Sequence, residues 1–351
     1  MNSFTRRSFC IGSGAAVAAM ASSGGATAVP PASFDPMPYV HPELRTYFAQ
    51  IKKMFGDTPF TAQSLAGERK RSFARPPLPA PAWMERVIPG PRGAPDARIY
   101  VVNGAPAGDH PRPAILHIHG GGYVLGDAKS SISQLQEIAA TLDCVIVTVD
   151  YRLAPETRFP ASLEDNYAGL KWLYTNAASL GADRSRIAVM GESAGGGHAA
   201  MLAIAARDRG EIPLVYQALI YPMLDDRTGS IRRKPPYQGM IIWNEQRNRF
   251  GWSALLGVPA GSRRVPYGSV PARVENLRGL PPAFIGVGSI DLFVDEDIEY
   301  AQRLVDAGAP VTLDVVPGAF HGFDIFANTS IARRFKSEPI SSLKAGLSAN
   351  T

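Results

Sequence analysis

The stretch Gly191-Glu192-Ser193-Ala194-Gly195 constrains the fold more than any other part of this chain. It fits G-x-S-x-G, and both flanks match the turn that the pattern needs. Arg186-Ile187-Ala188-Val189-Met190 reads as a short buried strand. Downstream, Ala199, Ala200, Met201, Leu202, Ile204 and Ala205 place apolar residues at helical spacing. A serine on so sharp a strand-to-helix turn is pushed out of the sheet, its hydroxyl exposed and a helix N-terminus beneath it. Gly191 and Gly195 belong there because a side chain at either would strike the neighbouring strand or helix. With these flanks, a nucleophile is favoured over a plain glycine-rich turn.

Such a junction requires a parallel sheet around it. From Ala97 onward the chain alternates strands and helices: Ala114–Ile118, a helix near Ser131–Leu142, Cys144–Val149, a helix near Leu163–Leu180, the elbow strand, then Leu214–Tyr221. This alternation argues an α/β fold with a mostly parallel, doubly wound sheet. The core reads as two parts, 93–223 and 271–351. Between them, 224–270 concentrates aromatic and apolar residues (Tyr237, Trp243, Phe250, Trp252) in an insertion. Residues 29–92 are proline-rich and carry no regular strand signal. One helix stands out there, with Leu44, Tyr47, Phe48, Ile51, Met54 and Phe55 at helical spacing and Pro42 near its start.

A serine nucleophile needs oxyanion donors, a base and an acid that orients the base. The strand Ala114–Ile118 runs into His119-Gly120-Gly121-Gly122-Tyr123, whose glycines let the backbone fold back. N–H groups of Gly121 and Gly122, with Ala194 after the nucleophile, can converge on a tetrahedral oxyanion. His117 and His119 also read as an H-x-H metal pair, but no third ligand cluster follows at suitable spacing. After Ser193 the chain holds two histidines, His198 on the elbow helix and His321 on a glycine-flanked loop after the strand Val311–Val316. His321 is the candidate base. Asp291, in the turn after the strand Ala283–Val287, is the candidate acid, because catalytic residues of open α/β sheets collect at strand C-terminal ends. Asp295, Glu296 and Asp297 read as dipole-complementing residues in the first turns of the next helix.

These blocks, with Asp150-Tyr151-Arg152-Leu153-Ala154-Pro155-Glu156, stand in the order found in the bacterial hormone-sensitive-lipase-like family of α/β-hydrolase fold esterases, which the chain resembles from about Ala97 onward. The resemblance implies an α/β-hydrolase fold, Ser193, Asp291 and His321 as triad, the glycine loop as oxyanion hole, and a helical cap made of 29–92 and 224–270. It also implies that no metal or organic cofactor is needed. The chain departs from the family at Glu192, where Asp is commoner, and at Ser289-Ile290 and Phe293-Val294. None of these touches a catalytic atom, so they bear on substrate preference. On family analogy alone, a helix near the C-terminus is a candidate for pairing subunits as a homodimer.

Composition narrows the partners. A net charge of +5, from 36 basic and 31 acidic residues, comes without a basic stripe interleaved with aromatics, so nucleic acid is not expected. Thr5-Arg6-Arg7-Ser8-Phe9, the run Ile11–Ala21 and Ala26-Thr27-Ala28 have the layout of a twin-arginine export signal over residues 1–28, pointing to a periplasmic or extracellular protein. The run is too short to span a bilayer, so no stable membrane insertion is expected. Removal of the signal would take Cys10 and leave Cys144, a small buried hydrophobe on its strand. The function expected is a serine carboxylesterase acting on small, short-chain acyl esters. The rivals are an amidase, lactonase or other acyl hydrolase using the same residues, and a ligand receptor that has lost catalysis. A dinucleotide site at Gly191–Gly197 fails because G-x-G-x-x-G is absent.

Overall fold

The computed structural model describes residues 34–55, 60–71, 75–106, 110–326 and 328–348. The expected export signal and Cys10 lie outside the described residues. The fold below is that of the described residues from 36 onward.

Two helices precede the sheet, α1 (Arg45–Phe55) and α2 (Ala62–Arg69). Phe48 and Ile51 of α1 are buried, as is Leu44 in the turn before it, but Met54 is exposed, so only the first part of the apolar stripe read from the sequence faces inward. Thr61 and Ser64 close the start of α2 by reciprocal side-chain bonds: Ser64 N–H donates to Thr61 Oγ1 at 3.3 Å, and Thr61 N–H donates to Ser64 Oγ at 2.9 Å. The sheet strands are β1 (Trp83–Ile88), β2 (Ala97–Val102), β3 (Arg112–Ile118), β4 (Val145–Asp150), β5 (Ala182–Glu192), β6 (Tyr216–Ile220), β7 (Ala283–Gly288) and β8 (Val311–Val316). Helices α3 (Ile132–Leu142), α4 (Ala161–Asn176), α5 (Ala194–Arg209), α6 (Glu245–Leu256), α7 (Val294–Asp306), α8 (Phe323–Phe326) and α9 (Ser330–Ser348) complete the chain.

The strands lie in the order β1-β2-β4-β3-β5-β6-β7-β8, with β2 antiparallel to both of its neighbours and every pair from β4 to β8 parallel. This is the α/β-hydrolase arrangement. Strand β1 departs from the reading of 29–92 as free of regular sheet. It is an edge strand whose Glu85, Arg86 and Val87 are exposed, so the alternation that would reveal a half-buried strand is missing. Strand β6 is shorter than the apolar run Leu214–Tyr221. Apart from the first two residues of β3 and the last of β4, strands β3, β4 and β7 are buried under helices on both faces, which explains their nearly unbroken apolar sequences. Cys144 is buried just before β4, and α9 turns Phe335, Leu343 and Leu347 into the core.

The chain passes from β3 out to β4, then back across to β5 on the other side of β3. That reversal opens a crevice at the carboxyl ends of β3 and β5, where open α/β sheets bind ligands. Register carries this further: Ile118 pairs with Gly191, so the glycine loop and the serine elbow leave the sheet side by side.

Candidate active site

Ser193 sits between β5 and α5 at φ 56°, ψ −121°, a conformation that L-residues rarely adopt. Strain of this kind is worth on the order of 1–3 kcal/mol and persists only where the surroundings hold it. Here Ser193 N–H donates to Ile220 O at 2.9 Å, while the Ser193 carbonyl accepts from Gly197 and Met223 N–H, each at 3.0 Å. The elbow is thereby fastened to β6 and to the chain just after it. The glycines flanking it are needed for space, because a Cβ at Gly191 would collide with Gly195 and one at Gly195 with the end of β3.

The structure brings all three polar residues singled out in the sequence into one chain of contacts. His321 Nε2 lies 2.9 Å from Ser193 Oγ, and His321 Nδ1 lies 2.8 Å from Asp291 Oδ2. Asp291 is fully buried, and its second oxygen accepts from Phe293 N–H at 3.0 Å. A carboxylate so held favours the tautomer with a proton on Nδ1, leaving Nε2 free to accept from the serine. The His321 ring is held edge-on by Tyr221 and Phe293, at centroid distances of 4.8 and 5.2 Å.

The glycine loop turns sharply after β3, with Gly121 at φ +121° and Gly122 at φ +60°. Val124 and Leu125 N–H both donate to Gly121 O, at 3.1 and 2.8 Å, which closes the turn. Among the described residues, the N–H groups of Gly121, Gly122 and Ala194 donate to no protein acceptor. A Cβ at Gly120 would stand 3.4 Å from Ser193 Cβ, so the loop lies directly against the serine. Beneath it, His119 stacks on Tyr151 at 4.2 Å, Tyr151 O–H donates to His119 O, and His198 meets the Tyr123 and Tyr151 rings edge-on. Burial pushes His198 down to about 3, so it is neutral, and also lowers His119.

The two histidines of the H-x-H pair face different partners. His117 bonds Thr148 Oγ1 and Glu192 Oε2, each at 2.9 Å, whereas His119 Nδ1 donates to Gly120 O at 2.8 Å. Among the described residues no group of three or more His, Cys, Asp or Glu could hold a metal ion. The sequence reading missed the His117–Glu192 contact. Its two signals were the Glu that departs from the family pattern and a histidine within the apolar run Ala114–Ile118.

The acidic run in α7 splits in a way the sequence did not indicate. Asp295 is exposed and pairs with Lys234 at 2.6 Å, as a first-turn residue can. Glu296 and Asp297 instead point inward. Glu296 accepts from Leu224 and Asp225 N–H at 2.7 and 3.1 Å, anchoring the chain after β6. Among the described residues neither oxygen of buried Asp297 has a hydrogen-bond partner, and burial, then Glu296 and Asp291, raise it well above its ordinary value.

Two stretches lie over the site. Trp243 packs on Gly122, Phe60 packs edge-on against Trp243 and Phe250, and Phe60 exchanges backbone bonds with the Gln246 side chain. Tyr39 stacks on Tyr237 at 4.4 Å. The segments before β1 and between β6 and β7 therefore meet each other beside the glycine loop.

A family model described as alpha/beta hydrolase fold matches residues 115–325, which contain the loop, the elbow and both partners of the serine. The chain belongs to the hormone-sensitive-lipase-like α/β-hydrolase family. Esterase LipI of Mycobacterium tuberculosis is 36% identical over 73% of this chain and 79% of its own length. The ethyl acetate hydrolase of Pseudomonas putida is 33% identical over 60% of this chain and 65% of its own. Among solved structures, a bacterial heroin esterase is 33% identical, with a TM-score of 0.74 over 90% of this chain and 100% of that one. Among the described residues of this α/β-hydrolase, no helix is long and apolar enough to cross a membrane.

Proposed function

We propose that this carboxylic ester hydrolase works through Ser193, His321 and Asp291 on small, short-chain acyl esters. The observation that carries the reading is the contact chain Ser193 Oγ–His321 Nε2 and His321 Nδ1–Asp291 Oδ2, at 2.9 and 2.8 Å. His321 Nε2 takes the Ser193 proton as Oγ attacks the ester carbonyl. The resulting oxyanion accepts from Gly121, Gly122 and Ala194 N–H, a set in which loss of one donor typically costs about 3–4 kcal/mol of transition-state stabilisation. His321 then protonates the leaving alcohol, and water cleaves the acyl-enzyme by the same steps. Asp291 holds the imidazole in its working tautomer and stabilises the imidazolium.

The segments before β1, from residue 36 to 82, and 224–270 act as a cap that shields the carbonyl from water. The bulk of Trp243, Phe60 and Phe250 beside the loop supports short acyl chains, as does the printed name of the Pseudomonas relative, ethyl acetate hydrolase. A receptor without catalysis would have no need of the aligned serine, histidine and carboxylate.

The test is a p-nitrophenyl ester series from acetate to palmitate, run on the wild type and on Ser193→Ala. The reading expects a maximum at short chains and a loss on the order of 10⁶ in kcat for the variant. A maximum at long chains would overturn the substrate class. A variant that keeps its rate would overturn Ser193 as nucleophile.

A further inference from the structure

Glycine in the middle of an α-helix is unfavourable relative to alanine, because it gives up more conformational freedom and packs nothing. Helix α6 nevertheless carries Gly251 in its interior, buried, and the reason is what lies opposite. A Cβ at Gly251 would stand 2.5 Å from the Gly122 carbonyl oxygen and 3.3 Å from Trp243 Cζ2. Gly122 is bare for a matching reason: a Cβ there would land inside the Trp243 indole, whose benzo edge lies against the Gly122 Cα. The indole is fixed from the other side. Trp243 Nε1–H donates to Asn248 Oδ1 at 3.0 Å, and Asn248 Nδ2–H donates to Thr228 O at 2.8 Å, with Asn248 fully buried. The peptide around Gly122 is therefore clamped between one turn of α6 and the Trp243 ring, both supplied by the segment between β6 and β7.

We propose that Gly251 and Trp243 are positioning residues that set the direction of the Gly122 N–H, so that the oxyanion hole is completed by the segment between β6 and β7 as well as by the hydrolase core. The proposal rests on the reading of Gly122 N–H as an oxyanion donor. It follows from geometry: the peptide that carries the Gly122 carbonyl adjoins the one that carries its N–H, and Gly122 at φ +60° has no side chain of its own to hold it. A shift of several tenths of an ångström at the carbonyl turns the donor away from the one place where the negative charge develops, and oxyanion donors act through that alignment. Neither residue touches the reacting atoms.

The test perturbs the clamp in opposite directions. Gly251→Ala pushes the loop, and Trp243→Phe, whose shorter ring no longer reaches Gly122, slackens it. Both are compared with wild type and Ser193→Ala on a short-chain p-nitrophenyl ester, using active-site titration, kcat and KM, thermal melting, and the affinity of an aliphatic trifluoromethyl ketone. That ketone adds the serine to form a tetrahedral oxyanion, so its affinity reads the hole itself. The expected result is a fall in kcat of about 10- to 100-fold in each variant, a fraction of the ~10²–10³ seen for removal of a whole donor. KM should be nearly unchanged in Gly251→Ala and change less than kcat in Trp243→Phe, which also opens acyl space, and trifluoromethyl ketone affinity should weaken in step with kcat. Gly251→Ala should melt below the wild type, because its Cβ meets a backbone oxygen, yet stay folded at the assay temperature, so kcat per titrated active site separates the effect from lost stability. Folded variants that keep kcat and ketone affinity within about twofold, beside an inactive Ser193→Ala, overturn the clamp and leave the nucleophile standing. A Ser193→Ala that retains activity overturns the underlying reading instead. Should Gly251→Ala fail to fold, Trp243→Phe decides alone by the same two readouts.

Discussion

Replacing Asp291 by asparagine should cost this enzyme most of its activity with almost no change in shape. The side chain is fully buried and makes two contacts, accepting from Phe293 N–H through Oδ1 at 3.0 Å and meeting His321 Nδ1 through Oδ2 at 2.8 Å. Asparagine has one acceptor oxygen and one donor amide, so it cannot satisfy both. If the amide nitrogen faced Phe293 N–H, a buried backbone donor would lose its partner, a penalty of about 1–3 kcal/mol. The oxygen therefore stays with Phe293, and the NH₂ faces His321. The imidazole must then accept at Nδ1 and carry its proton on Nε2, pointing at Ser193 Oγ, where it can no longer take the serine proton. In the serine-protease template the same inversion lowers kcat about 10⁴-fold, equivalent to about 5 kcal/mol of barrier. The assay is kcat at neutral pH on a p-nitrophenyl ester, normalised by active-site titration, with thermal melting as a control for folding. A variant within tenfold of wild type would refute the tautomer argument and move the orienting role away from Asp291.

Two further outcomes concern buried charge. His198 titrates near its ordinary value when unfolded but is held neutral to about 3 by burial when folded, so the unfolded state binds the extra proton and stability falls as pH drops below about 6.5. Between pH 6.5 and 4 this amounts to about 3 kcal/mol, and His198→Phe should show a correspondingly flatter loss in denaturant midpoints over that range. Asp297 works in the reverse direction. Its folded form keeps the proton well above the unfolded carboxylate value, so it weakens the fold as pH rises, and Asp297→Asn should be more stable than wild type at pH 8, with the gain shrinking towards pH 4.

The catalytic candidates were legible because their signals are local. A serine elbow declares itself by its glycines and by a strand before and helix after, and only two histidines follow it. Asp291 could be placed because a strand end precedes it. Strand β1 was not legible, since an edge strand exposing Glu85, Arg86 and Val87 carries no alternation. Glu296 and Asp297 do lie in the first turn, as expected, but their inward direction was not legible because the dipole favours acids there whichever way they point. Only the packing of α7 against the chain after β6 decides that they face inward. The clamp on Gly122 was hidden for a different reason. Gly251 and Trp243 lie more than a hundred residues from the loop, and a lone glycine in a helical pattern announces a close approach without naming the other side.

The central claim is that Ser193 is the nucleophile, activated by His321. It is tested most directly by treating the enzyme with a p-nitrophenyl alkylphosphonate, then mapping the adduct by peptide mass spectrometry in wild type and His321→Ala. The account predicts one equivalent of phosphonate on Ser193, activity lost in proportion, and labelling slowed by several orders of magnitude in the variant. An adduct on another residue, or full labelling of Ser193 with activity retained, would contradict it.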